Sequence, residues 1–409
     1  MEERPFRACP EPAEGAALAI FNRQGFSPGG IRSTMRFMTI DLQNPADVFV
    51  VGGGPAGLAT AIAARRRGLS VIVADGAIPP IDKPCGEGLM PDGLDALREL
   101  GVEIPPADVH PLRGIRFISN EKKTEAVFAH GVAYGIRRTA LHRILIDHAD
   151  ACGVSMLWQA AVTGVQTGGV MVGGNLVPAR WIVGADGSSS RVRHWAGLDL
   201  HQKKTLRFGF RRHYRIAPWT DFMELHWGHN SQIYVTPVGR EEICVALICS
   251  GPQTRLDAAL ADFPELAARL QDANHASGER GAITVSRKLR KVYRGNIVLV
   301  GDASGGVDAI TGEGLCLAFR QSGLLADCLA DGNLAHYQTE HRRLIRRPAL
   351  MARLLLLMGS HERLRERAMQ VFESNPSTFA GLLAMHVGDG SPRDYIANGI
   401  SMGWQLLRA

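Results

Sequence analysis

The spacing Gly52-x-Gly54-x-x-Gly57 is the densest piece of chemistry in the sequence. The apolar run Val48-Phe49-Val50-Val51 leads into it, and an alanine-rich stretch from Leu58 to Arg67 leads away. Between a strand and a helix each glycine has its own task. Gly52 permits the tight turn, Gly54 removes a side chain where the backbone meets a pyrophosphate, and Gly57 lets the helix pack close to the strand. Pro55 and Ala56 belong to this loop, which leads to a helix N-terminus whose free N–H groups and dipole favour an anion. A second strand, Ser70-Val71-Ile72-Val73-Ala74, ends at Asp75, 18 residues after Gly57. That carboxylate is positioned for the hydroxyls of an adenosine ribose. A glycine-rich turn alone would carry little. With strand, helix and acid in place, the segment predicts a dinucleotide-binding βαβ unit.

Distant motifs specify the dinucleotide. Asp186-Gly187 follows the strand Arg180-Trp181-Ile182-Val183, and Gly301-Asp302 follows Asn296-Ile297-Val298-Leu299-Val300. Thr311-Gly312-Glu313-Gly314-Leu315 then opens another helix. In this order the segments resemble the second and third fingerprints of the para-hydroxybenzoate-hydroxylase-type flavoproteins. The resemblance implies that the cofactor is FAD and that Asp186 is one of the residues that bind it. It implies that the Asp302 carboxylate takes the ribityl hydroxyls. It also implies that the N–H groups around Gly312, Gly314 and Leu315 face the flavin pyrimidine edge. Arg138, at the start of a helix running to Ala149, matches the family arginine that reaches the cofactor phosphates and ribose, with Arg137 as the neighbouring alternative. The family commonly has an acid followed by Arg after the second strand, where this chain has Asp75-Gly76.

Lys83-Pro84-Cys85-Gly86-Glu87-Gly88-Leu89 is similar to the geranylgeranyl-reductase branch of the same superfamily, in which the Cys-Gly loop lies beside the isoalloxazine. Cys85 is therefore a candidate to line the flavin, as a small apolar group rather than a nucleophile. Glu87 beside it could handle protons, but a loop carboxylate is more often solvated. Tyr234-Val235-Thr236-Pro237 stands where related enzymes place an aromatic segment over the flavin face, which makes Tyr234 the second lining candidate. The Trp-x-Trp-x-Ile-Pro box of flavin-dependent halogenases is absent from the sequence. Only one dinucleotide fingerprint exists, so NAD(P)H has no domain of its own; in the resembling family it binds transiently as reductant. His110, His130, His142 and His213 are dispersed without a triad context, and no Cys/His set has metal-ligand spacing, so neither a catalytic residue nor a metal site is assigned.

The elements that position these residues predict an α/β protein with an α+β insert. A Rossmann-type FAD-binding domain takes 47–111, 136–204 and 291–340. A substrate-binding antiparallel β-sheet takes 112–135 and 205–290. Its strands are Leu206–Tyr214, Phe222–Trp227, Gln232–Pro237 and Ile243–Ile248, with a hairpin turning at Glu121-Lys122-Lys123. Residues 341–409 form a helical C-terminal region, with Pro348 starting or breaking a helix and a last helix over Tyr395–Leu407. Residues 1–46 lack any apolar period and read as a flexible extension, with Met35 or Met38 as an alternative start.

Composition sets outer bounds. The chain has 409 residues, 45% apolar and 21% charged, which fits a soluble multidomain protein. No apolar run approaches the ~18 residues of a spanning helix. Eight arginines between 342 and 367, against Glu362 and Glu366, account for much of the net charge of +6. The remainder is near balance, so no nucleic-acid partner is expected. The arginine-rich stretch reads either as a lid over the substrate sheet, with Arg on its wet face, or as a weak membrane-surface contact. The lid is the commoner outcome. Seven scattered cysteines without a CxxC fit a reducing cytoplasm.

These features predict an FAD-dependent oxidoreductase acting on a small, hydrophobic molecule. Two chemistries compete. General likeness to the hydroxylases favours an NAD(P)H-dependent monooxygenase that hydroxylates an aromatic, polyketide or lipid-like substrate through a flavin C4a-hydroperoxide. The Cys85-Gly86 and Thr311–Leu315 segments favour a reductase of isoprenoid carbon–carbon double bonds. The sequence alone leans slightly to the first. A non-catalytic FAD-binding module is the third reading.

Overall fold

The computed structural model describes residues 45–389, and before them only the antiparallel backbone pairing of Leu18–Ile20 with Met38–Ile40. The remainder of the expected extension and the expected helix over Tyr395–Leu407 lie outside the described residues.

The chain opens with β1 (Ala46–Val51), α1 (Pro55–Arg66) and β2 (Val71–Asp75). Proline at the first helical position and Arg65-Arg66 in the last turn match the needs of a helix start and a helix dipole. Then come α2 (Pro91–Glu99), β3 (Val109–Leu112), β4 (Gly114–Ser119), β5 (Lys122–Val127), β6 (Ala133–Ile136) and α3 (Arg138–Ala151). Next are β7 (Ser155–Trp158), β8 (Val162–Gln166), β9 (Gly169–Val172), β10 (Asn175–Gly184) and α4 (Arg191–Trp195). The insert continues with β11 (His201–Arg215), β12 (Phe222–Trp227), β13 (Ser231–Gly239), β14 (Glu242–Cys249) and β15 (Arg280–Leu289). The chain returns through β16 (Ile297–Leu299) into α5 (Gly314–Ala330), α6 (Leu334–Ser360), α7 (Glu362–Ser374) and α8 (Pro376–Val387).

The nucleotide-binding sheet runs parallel in the order β7-β2-β1-β10-β16. Val48, Phe49 and Val50 are fully buried, which is why this strand reads as a continuous apolar run. The N-terminal half of β10 bends into a meander with β9 and β8. The Gly168-Gly169 and Gly173-Gly174 pairs make its turns, with Gly168, Gly173 and Gly174 at positive φ.

The insert follows the expected strands, with one difference. Its order is β11-β14-β13-β12-β4-β5, and β15 pairs β11. The β12–β4 pair is parallel, so the sheet is mixed rather than wholly antiparallel. Two segments about a hundred residues apart in sequence cannot be joined by a hairpin, so their relative direction is free to be parallel. Both faces are buried. Ile233, Val235, Val245 and Leu247 pack against the short helices Leu256–Leu260 and Pro264–Leu270, which the sequence reading missed. Tyr234, Met223 and Leu225 point the other way into the main core, beneath α6 to α8.

Pro348 neither starts nor breaks α6; it sits buried within a 27-residue helix. Packing of its ring against the core outweighs one lost backbone hydrogen bond. Nor are all the arginines on a wet face: Arg365 is buried and bonds Ser119, and Arg347 reaches Asp92. Among the described residues no helix is long and apolar enough to cross a membrane.

Candidate functional site

The glycine loop is built as the spacing requires. Gly52 has φ +109°, and a Cβ there would lie 2.5 Å from the Ala185 carbonyl oxygen. A Cβ on Gly57 would fall on the Gly52 carbonyl. Gly54 differs: a Cβ there meets nothing within 4 Å. Packing forces the other two to be glycine, whereas Gly54 borders open space at the N-terminus of α1, where a pyrophosphate fits.

Asp75 and His142 clamp this loop. Asp75 Oδ2 accepts the Gly53 N–H at 2.8 Å, and Oδ1 accepts the Ala77 N–H at 2.8 Å. Asp75 thus fixes the loop, a task the sequence did not suggest, and its remaining lone pairs are what a ribose could use. His142 is fully buried; its Nδ1 accepts from the Ile81 N–H at 3.1 Å, so Nε2 carries the proton toward the Gly53 carbonyl at 2.7 Å. Burial holds this imidazole below its ordinary range, in the neutral form that both bonds need.

The remaining motifs converge from far along the chain. A Cβ on Gly301 would lie 2.7 Å from the Ala56 side chain, so Asp302 sits beside the helix start. The Asp302 carboxylate is exposed and takes no hydrogen bond from the described residues. Arg137 is paired with Glu242, which leaves Arg138, its Nε buried and without a partner. Gly312 has φ +68°, and neither Gly312 nor Gly314 has an atom within 4 Å of its would-be Cβ. Leu315 is half-buried just behind them. An orphaned guanidinium nitrogen, an unpartnered carboxylate and three open glycines fit FAD. Asp186 is placed differently. Its oxygens accept from Ser190 Oγ and from the N–H groups of Arg191 and Val192, so it caps α4. Replacing Asp302 with alanine should weaken FAD binding ten- to a hundredfold, about 1.5–3 kcal/mol for one charge-assisted contact. Flavin titration of the apoprotein measures it; unchanged affinity would remove Asp302 from the site.

The Lys83–Leu89 loop hides a buried network. Burial pushes the Cys85 thiol up, in keeping with a lining role rather than a nucleophilic one. Glu87 is not solvated: it is 1% exposed, with φ +59°. Its Oε1 accepts the Arg138 N–H at 2.9 Å, and its Oε2 lies 2.7 Å from His213 Nε2. Arg211 donates to His213 Nδ1 at 2.8 Å, so Nδ1 accepts and Nε2–H donates to Glu87. Arg211 also pairs with Asp82, which Arg280 holds at 3.0 Å. The alternation of Arg211 and His213 on one face of β11 was the available sequence signal.

Tyr234 is buried and donates its hydroxyl to the Ile310 carbonyl. It therefore ties the insert to the Thr311–Gly314 turn, and it lines an apolar cavity whose empty space, its open mouth included, is about 620 Å³. The floor is Ile115, Phe117, Met223 and Leu225 of the insert; α6, α7 and α8 form the roof. The lid expected from 341 onward is thus present.

A family model described as "FAD binding domain" matches residues 45–333. A menaquinone reductase of Mycobacterium tuberculosis is 28% identical over 326 residues, covering 73% of this chain and 79% of that one. A digeranylgeranylglycerophospholipid reductase of Methanosarcina acetivorans is 28% identical over 296 residues, covering 66% and 71%. Among solved structures, a flavoprotein/dehydrogenase of Cytophaga hutchinsonii aligns with a TM-score of 0.74 at 19% identity, covering 84% of this chain and 93% of that one. Glycine loop, open turn and family match agree, and the chain belongs to the FAD binding domain family, as an FAD-dependent oxidoreductase.

Proposed function

We propose that this enzyme reduces carbon–carbon double bonds in the isoprenoid chain of a lipid. The cavity carries this reading. Sixteen residues line it, and among them only Tyr234, Thr311 and His386 bear polar groups. Tyr234 is already spent on Ile310. No Lys, Arg, Asp or Glu lines the wall. A phenol or carboxylate, as on many electron-rich aromatic substrates, would find at most His386 and Thr311 to meet it there, and leaving it unpaired would cost several kcal/mol. A long hydrocarbon chain would lose nothing. The relatives named menaquinone reductase and digeranylgeranylglycerophospholipid reductase support the same substrate class. The slight sequence-only lean toward hydroxylation is therefore set aside.

Bound FAD, reduced by NAD(P)H, supplies the hydride. The chain's own residues do the rest. The Gly54 loop, Arg138 and Asp302 hold the cofactor, with the Glu87–His213–Arg211 network fixing the start of α3. Tyr234 and Ile310 join the substrate sheet to the cofactor side, and α6 to α8 keep water from the chain.

The test is anaerobic. Prereduced enzyme is mixed with geranylgeraniol in detergent micelles. Flavin reoxidation, with two hydrogens gained by the product in mass spectrometry, is the expected result. A flavin that stays reduced with this and longer isoprenoids, yet inserts oxygen into a product under O₂, would establish hydroxylation instead. NAD(P)H consumption yielding only peroxide with every substrate would favour the non-catalytic module.

A further inference from the structure

Behind the apolar cavity, next to its lining residues Thr311 and His386, lies a polar cluster. Asp92 of α2, Glu313 at the start of α5, Arg347 of α6 and His386 of α8 converge on one buried cluster. Glu313 is 2% exposed and His386 6%. Glu313 Oε1 accepts from Arg347 Nη2 at 3.3 Å. The same nitrogen lies closer to Asp92 Oδ2, at 2.9 Å, and Arg320 approaches that oxygen at 3.5 Å. Arg347 is thus claimed mainly by Asp92. Glu313 Oε2 has no hydrogen bond. It faces His386 Nδ1, equally unbonded, at 3.8 Å. The His386 ring lines the cavity.

A pair serving only stability would close to hydrogen-bond distance, because each unsatisfied buried atom costs about 1–3 kcal/mol. This pair stands open: His386 lines the cavity, and Glu313 lies behind it, two residues after the lining Thr311. We propose that Glu313 and His386 hold one proton between them and deliver it to the substrate in the apolar cavity. The proposal rests on the reductase reading. Hydride from NAD(P)H, by way of FAD, forms one new C–H bond. The π electron pair takes the proton from the Glu313–His386 pair and forms the second. Glu313 is left as a carboxylate beside Arg347. Solvent returns its proton past Asp92 and Arg347, whose side chains are 14% and 19% exposed.

The charges around the pair agree. Burial pushes the Glu313 carboxyl up to about 8; Asp92 adds to this, while Arg347 and Arg320 oppose it. Burial pulls His386 down to about 4, and Cys316 on α5 is held as a neutral thiol. At neutral pH the proton therefore rests on Glu313, facing a vacant imidazole nitrogen.

Infrared titration of the FAD-bound enzyme should show a protonated carboxyl band that disappears as pH rises through about 8. Glu313→Gln should remove it. In anaerobic single turnovers with geranylgeraniol, wild-type flavin reoxidation should slow as pH rises through the same range. FAD-loaded Glu313→Gln should be slower by on the order of a hundredfold, with a flat profile. His386→Leu should slow the step comparably and shift the carboxyl band. The wild-type titration needs no variant, so a misfolded substitution does not spare the proposal. Wild-type turnover with Glu313→Gln matching its rate and profile, or with no titrating band, overturns the proton pair and leaves the reductase reading intact. Absence of wild-type turnover on any isoprenoid overturns the reductase reading and the pair with it.

Discussion

Gly54→Val should give a folded, colourless protein. Gly54 caps α1 with φ −72° and ψ 177°, an extended backbone that valine adopts without strain. Its Cβ would meet no protein atom within 4 Å, so the apoprotein has room for the side chain. The pyrophosphate does not. Overpacking against a group that cannot yield costs about 1–3 kcal/mol or more, and here it falls wholly on the complex. FAD affinity should drop by a hundredfold or more, while the unfolding midpoint of the apoprotein stays near the wild type. Gly57→Ala is the contrast. Its methyl would land on the Gly52 carbonyl, so the cost falls on the fold itself. Visible absorbance and urea melts of the two proteins separate the effects. Normal flavin in purified Gly54→Val would remove the loop from the cofactor site.

Arg211→Met should be the most damaging single change in the insert. Arg211 is 1% exposed and is shared between Asp82 and His213. Methionine fills most of its volume but leaves a half-buried carboxylate with only Arg280, and an imidazole that has lost a charged donor. Breaking a buried pair from one side costs roughly 3–5 kcal/mol. The loss should also reach the cofactor. His213 freed from Arg211 can change tautomer, Glu87 then loses its Nε2–H donor, and the N-terminus of α3 with Arg138 loosens. A fall in urea midpoint together with weaker FAD binding is expected. A stable variant with normal FAD affinity would show that the network is not coupled to the cofactor.

The nucleotide half of the fold was legible because its signals are local. Strand, turn, helix and acid lie within 47–75, and backbone sterics decide which glycines are required. The insert strands were legible too, because segments of strand length rich in apolar and aromatic residues are separated by turn breaks such as Val238-Gly239. What escaped were pairings across sequence. Glu87 and His213 are 126 residues apart. Nothing near Glu87 shows that an imidazole and a main-chain N–H await it, so a solvated carboxylate was the natural expectation. His142 is similar, since its task is to fix a loop 89 residues away. Arg347 and Arg365 looked like solvent-facing charges because their partners, Asp92, Glu313 and Ser119, come from other elements. For Asp186 the motif was plain, while the capping of its own helix by the carboxylate was not.

The parallel seam between β4 and β12 also has a consequence for biosynthesis. As the chain leaves the ribosome, the hairpin β4–β5 emerges first, and its partner strand follows about a hundred residues later. At roughly 5–20 residues per second, β4 then waits several seconds with an unpaired edge. Its outer row of N–H and C=O groups is, for that interval, a template for another nascent chain. Fast translation or a missing chaperone should therefore raise aggregation through this edge before any flavin is bound, and a lysine placed on the β4 rim would act as a gatekeeper during synthesis.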